Sequence, residues 1–364
     1  MTESQFRNKV TWFSFAFSLL VVWVHSYNAE LFLGLTAGME EVYRAEHWIG
    51  DTLGQIAVPG FFMISAYLFY RDFSWEKLSG KWKRRIRSVL VPFILWNFIY
   101  YLGYVIGSRL PWMTDVVGKG VIPFNLFAAV DAVIHYTYNY VFWYLFQLIL
   151  LILLAPLLYP VLKNIWSRCL FFVVLWALVA AGIDLPYLNA DALIYYSFAA
   201  SLALFSQKPA QRNTKGGQLS SENRPMIAWK DPVIQGGSAG RMGAGALFLI
   251  GAVLSWHEGL RTAFVPLFVL CRLLAVSGLW LLVAGERLPE AKDFMRHNFF
   301  LYATHFAFVR FINKAAAMVI PVNRWEPFVL YLLMPFLVLA VSTVLGRLLR
   351  RILPEAWRLL NGYR

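Results

Sequence analysis

The chain has 364 residues, a formal net charge of +13, 59% hydrophobic residues and only 15% charged residues. That balance excludes an ordinary water-soluble domain, because too much apolar surface would remain in contact with water. The aromatic fraction of 17% is typical of a protein that crosses membrane interfaces repeatedly. The two cysteines, Cys169 and Cys271, lie in apolar runs and exclude a disulfide scaffold. In such a protein the positive charge bears on membrane topology, and we expect no nucleic-acid partner.

Apolar runs of spanning or near-spanning length follow one another along the sequence. The first run has no small-residue cleavage site behind it, so it is predicted to be a span and not a cleaved signal peptide. We therefore predict an all-α polytopic membrane protein with about ten transmembrane helices in contact with membrane lipids. The predicted spans are residues 10–28, 53–70, 89–107, 141–162, 169–183, 190–206, 242–256, 263–284, 298–320 and 327–346.

The distribution of Lys and Arg predicts how these spans are oriented. If the N-terminus is cytoplasmic, the cytoplasmic segments hold 25 of the 33 basic residues and the outer segments hold six. The positive-inside rule then predicts that both termini are cytoplasmic and that the protein lies in the inner or plasma membrane. The cytoplasmic segments in this topology are residues 1–9, 71–88, 163–168, 207–241, 285–297 and 347–364.

The sequence predicts one integral-membrane domain over residues 1–364, with no separate soluble domain. Residues 207–241 are rich in Gly, Ser, Pro, Asn and Gln and predict a polar cytoplasmic linker between the sixth and seventh spans. The outer segment 109–140 contains PFNLFAAVDAVIHY, whose apolar spacing predicts a short interfacial helix.

None of the common catalytic motifs is present. The sequence has no Walker loop, no zinc-binding spacing, no dinucleotide fingerprint and no GxSxG signature. We therefore predict neither a bound metal nor a bound cofactor. Candidate chemistry must come from individual side chains in or near the predicted spans.

His25 is the first such residue, near the outer end of the first span in FSLLVVWVHSYN. An ionisable group is costly there unless it faces the protein interior or a wet cavity. A histidine can act as general base on a substrate hydroxyl, because imidazole titrates near neutral pH. An interfacial histidine that only hydrogen-bonds a neighbour is the alternative. Glu30 and Asp51 are outer-side carboxylates that would be available to orient the imidazole.

The basic run KWKRRIRS leads directly into the third predicted span. Ordinary positive-inside charge, together with binding of anionic lipids, is one interpretation. The other concerns Arg84 and Arg87, which are three residues apart and would share a face of a continuous helix. Two guanidinium groups on one face suit the binding of a phosphate.

Three further candidates are small or aromatic residues. Ser65, in GFFMISAYLFY, allows close helix packing. Trp143 and Tyr144, in NYVFWYLFQL, belong either to an interfacial aromatic belt or to the lining of a cavity for an acyl group or a sugar. We include all three as possible cavity-lining residues.

Arg272, His305 and Arg310 are ionisable residues within predicted spans. Each needs a carboxylate, a bound anion or water, because an unpaired charge in the membrane is expensive. They are possible cavity-lining residues, and they also suit a transporter or flippase for an anionic or glycan substrate. The sequence lacks the paired broken helices in two halves that many transporters have.

Taken in order, five segments resemble the membrane-bound acyltransferase 3 family, whose members O-acylate sugars and cell-envelope glycans. The resemblance extends from the first predicted span to the ninth and includes the number and polarity of the spans. The matching segments are FSLLVVWVHSYN, VPGFFMISAYLFY, KWKRRIRSVLVPFILWN, YVFWYLFQLILLILLAPLL and FFLYATHFAFVRF.

The resemblance implies acyl transfer from a cytoplasmic acyl-CoA, typically acetyl-CoA as co-substrate, to a hydroxyl of a glycan or lipid-linked sugar on the outer side. It implies that His25 is the essential histidine of the first span. It also implies that Arg84 and Arg87 are the cytoplasmic Arg-x-x-Arg pair, and with Arg85 between them we expect this run to bind acyl-CoA.

Two positions depart from the family pattern. The family usually carries a basic residue eleven positions before the histidine, where this chain has Ser14. Arg7 and Lys9 are the nearest basic residues upstream and are too far away for the same face and depth. The Ser-Gly-Tyr of the second span is Ser65-Ala66-Tyr67 here, which is a milder change.

Overall fold

The computed structural model describes residues 1–34, 37–111, 113–183, 185–206, 238–319 and 325–363. Within these ranges every regular element is a helix, apart from an isolated bridge between Leu185 and Leu188. The α-helices are α1 Glu3–Val24, α2 Ala29–Leu33, α3 Ala37–Thr52, α4 Ala57–Tyr70, α5 Trp75–Arg85, α6 Val91–Gly107, α7 Thr114–Val117, α8 Leu126–Ile134, α9 Trp143–Leu153, α10 Ala155–Lys163, α11 Ile165–Ala181, α12 Ala190–Phe205, α13 Ser238–Thr262, α14 Val265–Leu282, α15 Asp293–Arg296, α16 Asn298–Val319, α17 Glu326–Ile352 and α18 Pro354–Leu360.

Three short non-α elements complete the described chain. Gly54–Ile56 and Tyr140–Phe142 are 3₁₀ turns that lead into α4 and α9. Ile86–Leu90 is a π-helical turn inserted between α5 and α6. Such turns widen a helix locally and are frequent at functional sites.

Local sequence signals explain several helix ends. The side chain of Asn164 caps α11 by accepting hydrogen bonds from the backbone N–H groups of Trp166 and Ser167. The same helix ends at Gly182, whose φ of 63° lies in the left-handed region that glycine adopts without strain. Proline occupies an early position in several helices, where its missing N–H costs nothing, at Pro92, Pro156, Pro266, Pro327 and Pro354.

All ten predicted spans coincide with helices, but fewer helices are long and apolar enough to cross a membrane. Within the described residues six qualify, and a seventh is counted if α9 and α10, which are bent by 66° between Leu153 and Ala155, form one span. The six are Glu3–Leu33, Gly38–Tyr70, Trp75–Gly107, Ala239–Thr262, Val265–Leu282 and Glu326–Ile352. The number of ten spans therefore stays a prediction.

The remaining predicted spans fall short for identifiable reasons. The helices α11 and α12 have only 17 and 16 residues, a length of roughly 25 Å at 1.5 Å per residue. The 22-residue α16 is long enough, but His305, Arg310 and Lys314 reduce its apolar character. A cytoplasmic position for either terminus likewise stays a prediction.

The predicted linker at residues 207–241 falls almost wholly outside the described residues. Its last four residues belong to α13, which begins at Ser238. The helix predicted in the outer segment 109–140 is confirmed as α8, which Asn125 caps through a hydrogen bond from the Ala128 N–H. Its interfacial location stays a prediction.

The described chain divides into two compact units, each assembled from three stretches of sequence. Unit 1 comprises Met1–Phe17, Thr52–Lys77 and Leu153–Met295, and unit 2 comprises Ser18–Asp51, Leu78–Ile152 and Arg296–Arg364.

Unit 1 is built on two closely packed helix pairs. In one pair α4 lies along α12, and in the other α13 lies along α14. Gly245 and Gly278 allow the close approach of the second pair, because a Cβ on Gly278 would lie 3.0 Å from the Gly245 carbonyl oxygen.

Unit 2 has two apolar clusters. One joins the end of α1 to α16 and α17 and consists of Val22, Leu301, Val309, Met334 and Val338. The other holds α6 against the loop and helices that follow it and consists of Tyr101, Val105, Val117, Ile122 and Ala132. These clusters fix the helices that carry the candidate site described next.

Candidate active site

His25 follows the last residue of α1, and its side chain meets residues from two distant parts of unit 2. The Tyr140 hydroxyl lies 3.1 Å from Nδ1 of His25. The rings of His305 and Phe306 lie with their centroids 5.3 Å and 6.1 Å from that of His25. Among the described residues, no other side chain hydrogen-bonds the imidazole.

Tyr140 is presented by the 3₁₀ turn before α9. This turn is anchored to α16, because the Tyr302 hydroxyl donates a hydrogen bond of 2.7 Å to the Val141 carbonyl oxygen. Tyr140 itself is 50% exposed. Asn139, one residue earlier, is fully buried, and its side-chain amide has no hydrogen-bond partner among the described residues.

His305 is fully buried in α16. Its Nδ1 donates a hydrogen bond to the Tyr302 carbonyl oxygen, so in the neutral ring Nε2 carries a lone pair. That Nε2 has no hydrogen-bond partner within the described part of the chain. His25, which is partly buried, and the fully buried His305 therefore form a pair with ring centroids 5.3 Å apart.

A buried polar cluster fixes the backbone after His25. The Glu46 carboxylate, which is completely buried, accepts hydrogen bonds of 3.1 and 3.3 Å from the N–H groups of Asn28 and Ala29. The Asn28 side chain donates to Asn313 of α16 at 3.3 Å, and the Tyr331 hydroxyl of α17 donates to the Glu46 carbonyl oxygen at 3.0 Å. The turn that carries His25 is thereby tied to three helices.

The carboxylates considered for orienting His25 have other environments. Asp51 lies 2.9 Å from Nδ1 of His47 and accepts a 2.9 Å hydrogen bond from the Tyr27 hydroxyl. Glu30 is exposed. Tyr140, which sequence reasoning took for part of a span entrance, contacts the imidazole instead.

The arginine run covers the end of α5 and the π-helical turn that follows it, in unit 2. Arg84 and Arg87 are exposed, and the described residues include no carboxylate partner for either. The Arg84 side chain makes a 3.4 Å hydrogen bond from Nε to the Gly80 carbonyl oxygen. Arg85 is half-buried. Two guanidinium groups are thus available to an anion.

The spacing predicted for this pair assumed a regular α-helix, and that assumption was wrong. Arg84 lies in α5, but Arg87 lies in the π-helical turn Ile86–Leu90. In such a turn each backbone N–H bonds the carbonyl oxygen five residues earlier, and not four as in an α-helix. No proline or glycine occurs in IRSVL to signal the change. The backbone of Gly362 packs against this turn, because a Cβ there would lie 2.7 Å from the Ser88 carbonyl oxygen.

The arginine pair and His25 lie at different levels of unit 2. The Tyr100 hydroxyl in α6 donates a 3.0 Å hydrogen bond to the carbonyl oxygen of Ala303, two residues before His305. Arg87 precedes Tyr100 by a helical distance of roughly 20 Å at 1.5 Å per residue. The arginine pair therefore lies several helical turns along α6 from the level at which α6 contacts the helix that carries His305.

Comparison with known proteins identifies the class of reaction. Residues 15–347 match the model of the acyltransferase 3 family, which is described as an acyltransferase domain. The chain belongs to this family. No curated protein and no solved structure matches it. The resemblance of the five sequence segments is confirmed, and the protein is a membrane acyltransferase.

In this acyltransferase, Tyr144 is an interior residue and not part of an exposed belt. It is 6% exposed, and its ring packs at 6.0 Å against that of Tyr302. Trp143 is half-buried. Arg310, five residues after His305, donates a 3.0 Å hydrogen bond to the Tyr104 hydroxyl.

The other predicted site residues of the acyltransferase belong to unit 1. Ser65 lies half-buried in α4, which packs along α12. Arg272 in α14 interacts electrostatically with Asp191 at the start of α12. Sequence reasoning missed this interaction, since Asp191 is far away in sequence and stands at a span end.

The basic residues upstream of Ser14 are engaged within unit 1. Nζ of Lys9, a residue only 4% exposed, donates a 2.6 Å hydrogen bond to the Trp280 carbonyl oxygen. Arg7 forms an ion pair with Glu3 at 2.8 Å. Neither is free to take the role of the basic residue that other acyltransferases of the family carry at this position.

Proposed function

We propose that this acyltransferase moves an acetyl group from cytoplasmic acetyl-CoA to a hydroxyl of a cell-envelope glycan or lipid-linked sugar on the outer side of the inner or plasma membrane. The observation that carries the proposal is the environment of His25. Its Nδ1 is held by Tyr140, no described residue hydrogen-bonds its Nε2, and the half-exposed Tyr140 marks an open side.

The charge distribution supports the direction of transfer. In the proposed topology of ten spans with both termini cytoplasmic, Arg84 and Arg87 lie inside and His25 lies near the outer surface. The exposed arginines suit the phosphates of coenzyme A. Their separation of roughly 20 Å from the His25 level along α6 would be bridged by the extended pantetheine arm.

His25 acts as general base in the proposed reaction. With its Nδ1–H donating to the Tyr140 oxygen, Nε2 accepts the proton of the acceptor hydroxyl as that oxygen attacks the thioester carbonyl carbon. The new C–O bond forms, the C–S bond breaks, and the proton on His25 passes to the leaving sulfur to give free coenzyme A. The lone pair on Nε2 of the neighbouring His305 favours the imidazolium that forms transiently on His25.

The Asn139 side chain is the donor we assign to the negative oxygen of the intermediate. It is fully buried beside Tyr140, and both of its polar side-chain atoms lack partners among the described residues. A buried, unpaired polar group is costly in the resting protein, and a preorganised amide of this kind stabilises developing charge.

The direct test is label transfer by purified protein in nanodiscs supplied with radiolabelled acetyl-CoA and a glycan extract of the cell envelope. We expect the His25→Ala variant to lose at least a hundredfold in kcat while still binding acetyl-CoA. The double variant Arg84→Gln, Arg87→Gln should raise the KM for acetyl-CoA. His135→Gln is the matched control, because His135 is an exposed histidine of unit 2 that pairs with Asp131.

The result also separates acyl transfer from transport. A transporter or flippase would move its substrate without releasing free coenzyme A. Transfer that is unaffected in the His25 and arginine variants would refute the mechanism, whereas glycan movement without label transfer would refute the proposed function itself.

A further inference from the structure

A second group of charged residues lies beside His25 and plays no part in the proton transfer described above. Arg310, in α16, makes one side-chain hydrogen bond and one cation–π contact with described residues. Its Nη1 donates to the Tyr104 hydroxyl at 3.0 Å, and its guanidinium carbon lies 5.6 Å from the centre of the Phe306 ring. A guanidinium has five N–H donors, so most of its hydrogen-bonding capacity remains unused.

Lys119 approaches the same tyrosine from the loop between α7 and α8. Its Nζ lies 5.9 Å from the ring centre of Tyr104 and 5.2 Å from that of Tyr138. Gly118 and Gly120 on either side have φ values of 61° and 65°, so two left-handed residues shape the backbone that presents this lysine.

The loop that carries Lys119 is held in place by a different cation. Arg109 donates to the carbonyl oxygens of Val105 at 2.6 Å and Ile122 at 2.9 Å. The Ile122 N–H in turn donates to the Ser108 hydroxyl at 3.1 Å. Arg109 is therefore bound by protein groups, whereas Arg310 and Lys119 present their charge around Tyr104.

No carboxylate among the described residues pairs with either cation. Asp131 interacts electrostatically with Tyr138, one of the two tyrosines near Lys119. Its carboxylate lies 2.9 Å from Nδ1 of His135 and 3.4 Å from the Thr137 hydroxyl. Two cations on one tyrosine, one of them half-buried, leave a positive potential that the protein does not neutralise.

The Phe306 side chain lies between this positive site and the proposed base, because its ring contacts Arg310 and lies 6.1 Å from the His25 ring. The Phe306 ring lies under the Arg310 guanidinium and also packs edge-on against Tyr140, with centroids 4.7 Å apart. Tyr140 contacts His25 directly. A sugar whose hydroxyl reaches His25 would therefore place a neighbouring substituent near Arg310.

We propose that Arg310 and Lys119 bind an oxyanion of the acceptor, a sugar carboxylate or a sugar phosphate, while His25 engages the hydroxyl to be acylated. The inference rests on the proposed function, and it narrows the substrate class to anionic glycans. Arg310 forms charge-assisted hydrogen bonds to the oxyanion, and Lys119 contributes a point charge from the loop side.

The test measures binding and transfer on the full chain in phosphatidylcholine nanodiscs with three fluorescent trisaccharides. These are trigalacturonate, its carboxyl-reduced neutral form, and the neutral form with a phosphate at the reducing end. We expect the wild type to bind at least one of the anionic trisaccharides tenfold or more tightly than the neutral one. A preference for the carboxylate or for the phosphate alone identifies which oxyanion the acceptor carries.

Arg310→Gln should abolish the preference for anionic over neutral trisaccharides, and Lys119→Gln should reduce this preference severalfold. Arg310→Lys should retain part of it. In the transfer assay the loss should fall on the KM for the anionic acceptor, with kcat and the KM for acetyl-CoA little changed. Arg44→Gln is the control, because Arg44 is an exposed cation of unit 2 whose Nε hydrogen-bonds the Glu40 carbonyl oxygen of its own helix.

Three results would overturn the inference. The first is that the wild type binds charged and neutral trisaccharides equally well. The second is that Arg310→Gln loses acetyl-CoA binding. The third is that the preference for anionic trisaccharides disappears when phosphatidylglycerol is added to the nanodiscs, which would assign the site to lipid headgroups. Preferential binding without acetylation of these trisaccharides would support the anion site, and the proposed function is then decided separately by label transfer to the glycan extract. Acetylation of charged and neutral acceptors alike would refute the anion site alone.

Discussion

The hydroxyl of Tyr140 lies 3.1 Å from Nδ1 of His25, although the two residues are 115 positions apart in the sequence. A tyrosine hydroxyl can donate to Nδ1 or accept from it, and the proposed reaction uses the tautomer in which Nδ1–H donates, because Nε2 is then free to act as the base. The proposed role of His25 thus depends on a residue that enters the site from a different part of unit 2.

Replacing Tyr140 with phenylalanine should keep the ring contact with Phe306 and remove the hydrogen bond to His25. We expect kcat to fall about tenfold, the equivalent of one net hydrogen bond of about 1.4 kcal/mol. Steady-state kinetics of label transfer against pH would measure this change. Tyr43→Phe, at an exposed tyrosine, serves as the control. A Tyr140→Phe enzyme with an unaltered kcat and pH profile would contradict the role assigned to the hydroxyl.

His305→Asn should lower kcat without changing the KM for acetyl-CoA. Asparagine can keep a donor for the Tyr302 carbonyl oxygen but lacks the second nitrogen that lies next to His25. The comparison variant His305→Phe removes both functions and should also lower the melting temperature, since it leaves that carbonyl oxygen without its present donor. Equal kcat values for His305→Asn and the wild type would show that His305 only fills space.

Glu46→Ala should destabilise the protein by about 2–3 kcal/mol, because it removes the acceptor of two buried backbone N–H groups. Glu46→Gln retains one side-chain oxygen and should cost less. The order of the melting temperatures in detergent, with the wild type highest and Glu46→Ala lowest, is the expected result. Activity should fall along the same series, since the cluster positions the turn that carries His25.

Gly362→Val should weaken acetyl-CoA binding severalfold. Gly362 has a φ of 67°, and a Cβ there would lie 2.7 Å from the Ser88 carbonyl oxygen in the π-helical turn that contains Arg87. Isothermal titration with acetyl-CoA measures the effect. Gly80→Ala is a matched control near Arg84, because a Cβ at Gly80 meets nothing within 4 Å. Equal affinity in the two variants would disconnect the packing at Ser88 from the arginine pair.

Glu286 should contribute to stability above acid pH. A hydrogen bond from its own backbone N–H and the nearby Arg241 guanidinium, 3.6 Å away, hold the pKa of its carboxyl below the ordinary value. A carboxyl whose pKa is lowered by folding stabilises the protein above its unfolded-state pKa of about 4.3, and this stability is lost as the pH falls through the folded-state pKa. Thermal unfolding from pH 7 to pH 3 should therefore depend less on pH in Glu286→Gln than in the wild type.

The sequence was sufficient to predict the helices and to single out individual ionisable residues. It did not predict which residues contact one another. His25, His305 and Arg310 were singled out because ionisable groups in apolar runs are rare and costly. Tyr140 was not, because an aromatic residue at a span entrance is typical of an interfacial belt. Its contact with His25 depends on how α1, α9 and α16 pack, and no local pattern encodes that packing.

Glu46 and the π-helical turn illustrate two other limits of the sequence. Glu46 stands in a polar stretch of helix where an exposed carboxylate was the natural expectation, and only the approach of α2 and α17 buries it. The π-helical turn requires one residue more per hydrogen-bonded turn than the α-helix, and IRSVL contains nothing that distinguishes the two. Local composition could not reveal either feature.

The assembly of the site from three distant segments has a consequence for biosynthesis. His25 is made early, Tyr140 follows more than a hundred residues later, and His305 and Phe306 are added only when α16 is synthesised. A ribosome-bound chain that stops before α16 therefore carries its imidazole without the partners that complete the site. Under the proposed function, catalytic competence arrives only after α16 has been synthesised, when the preceding helices already exist.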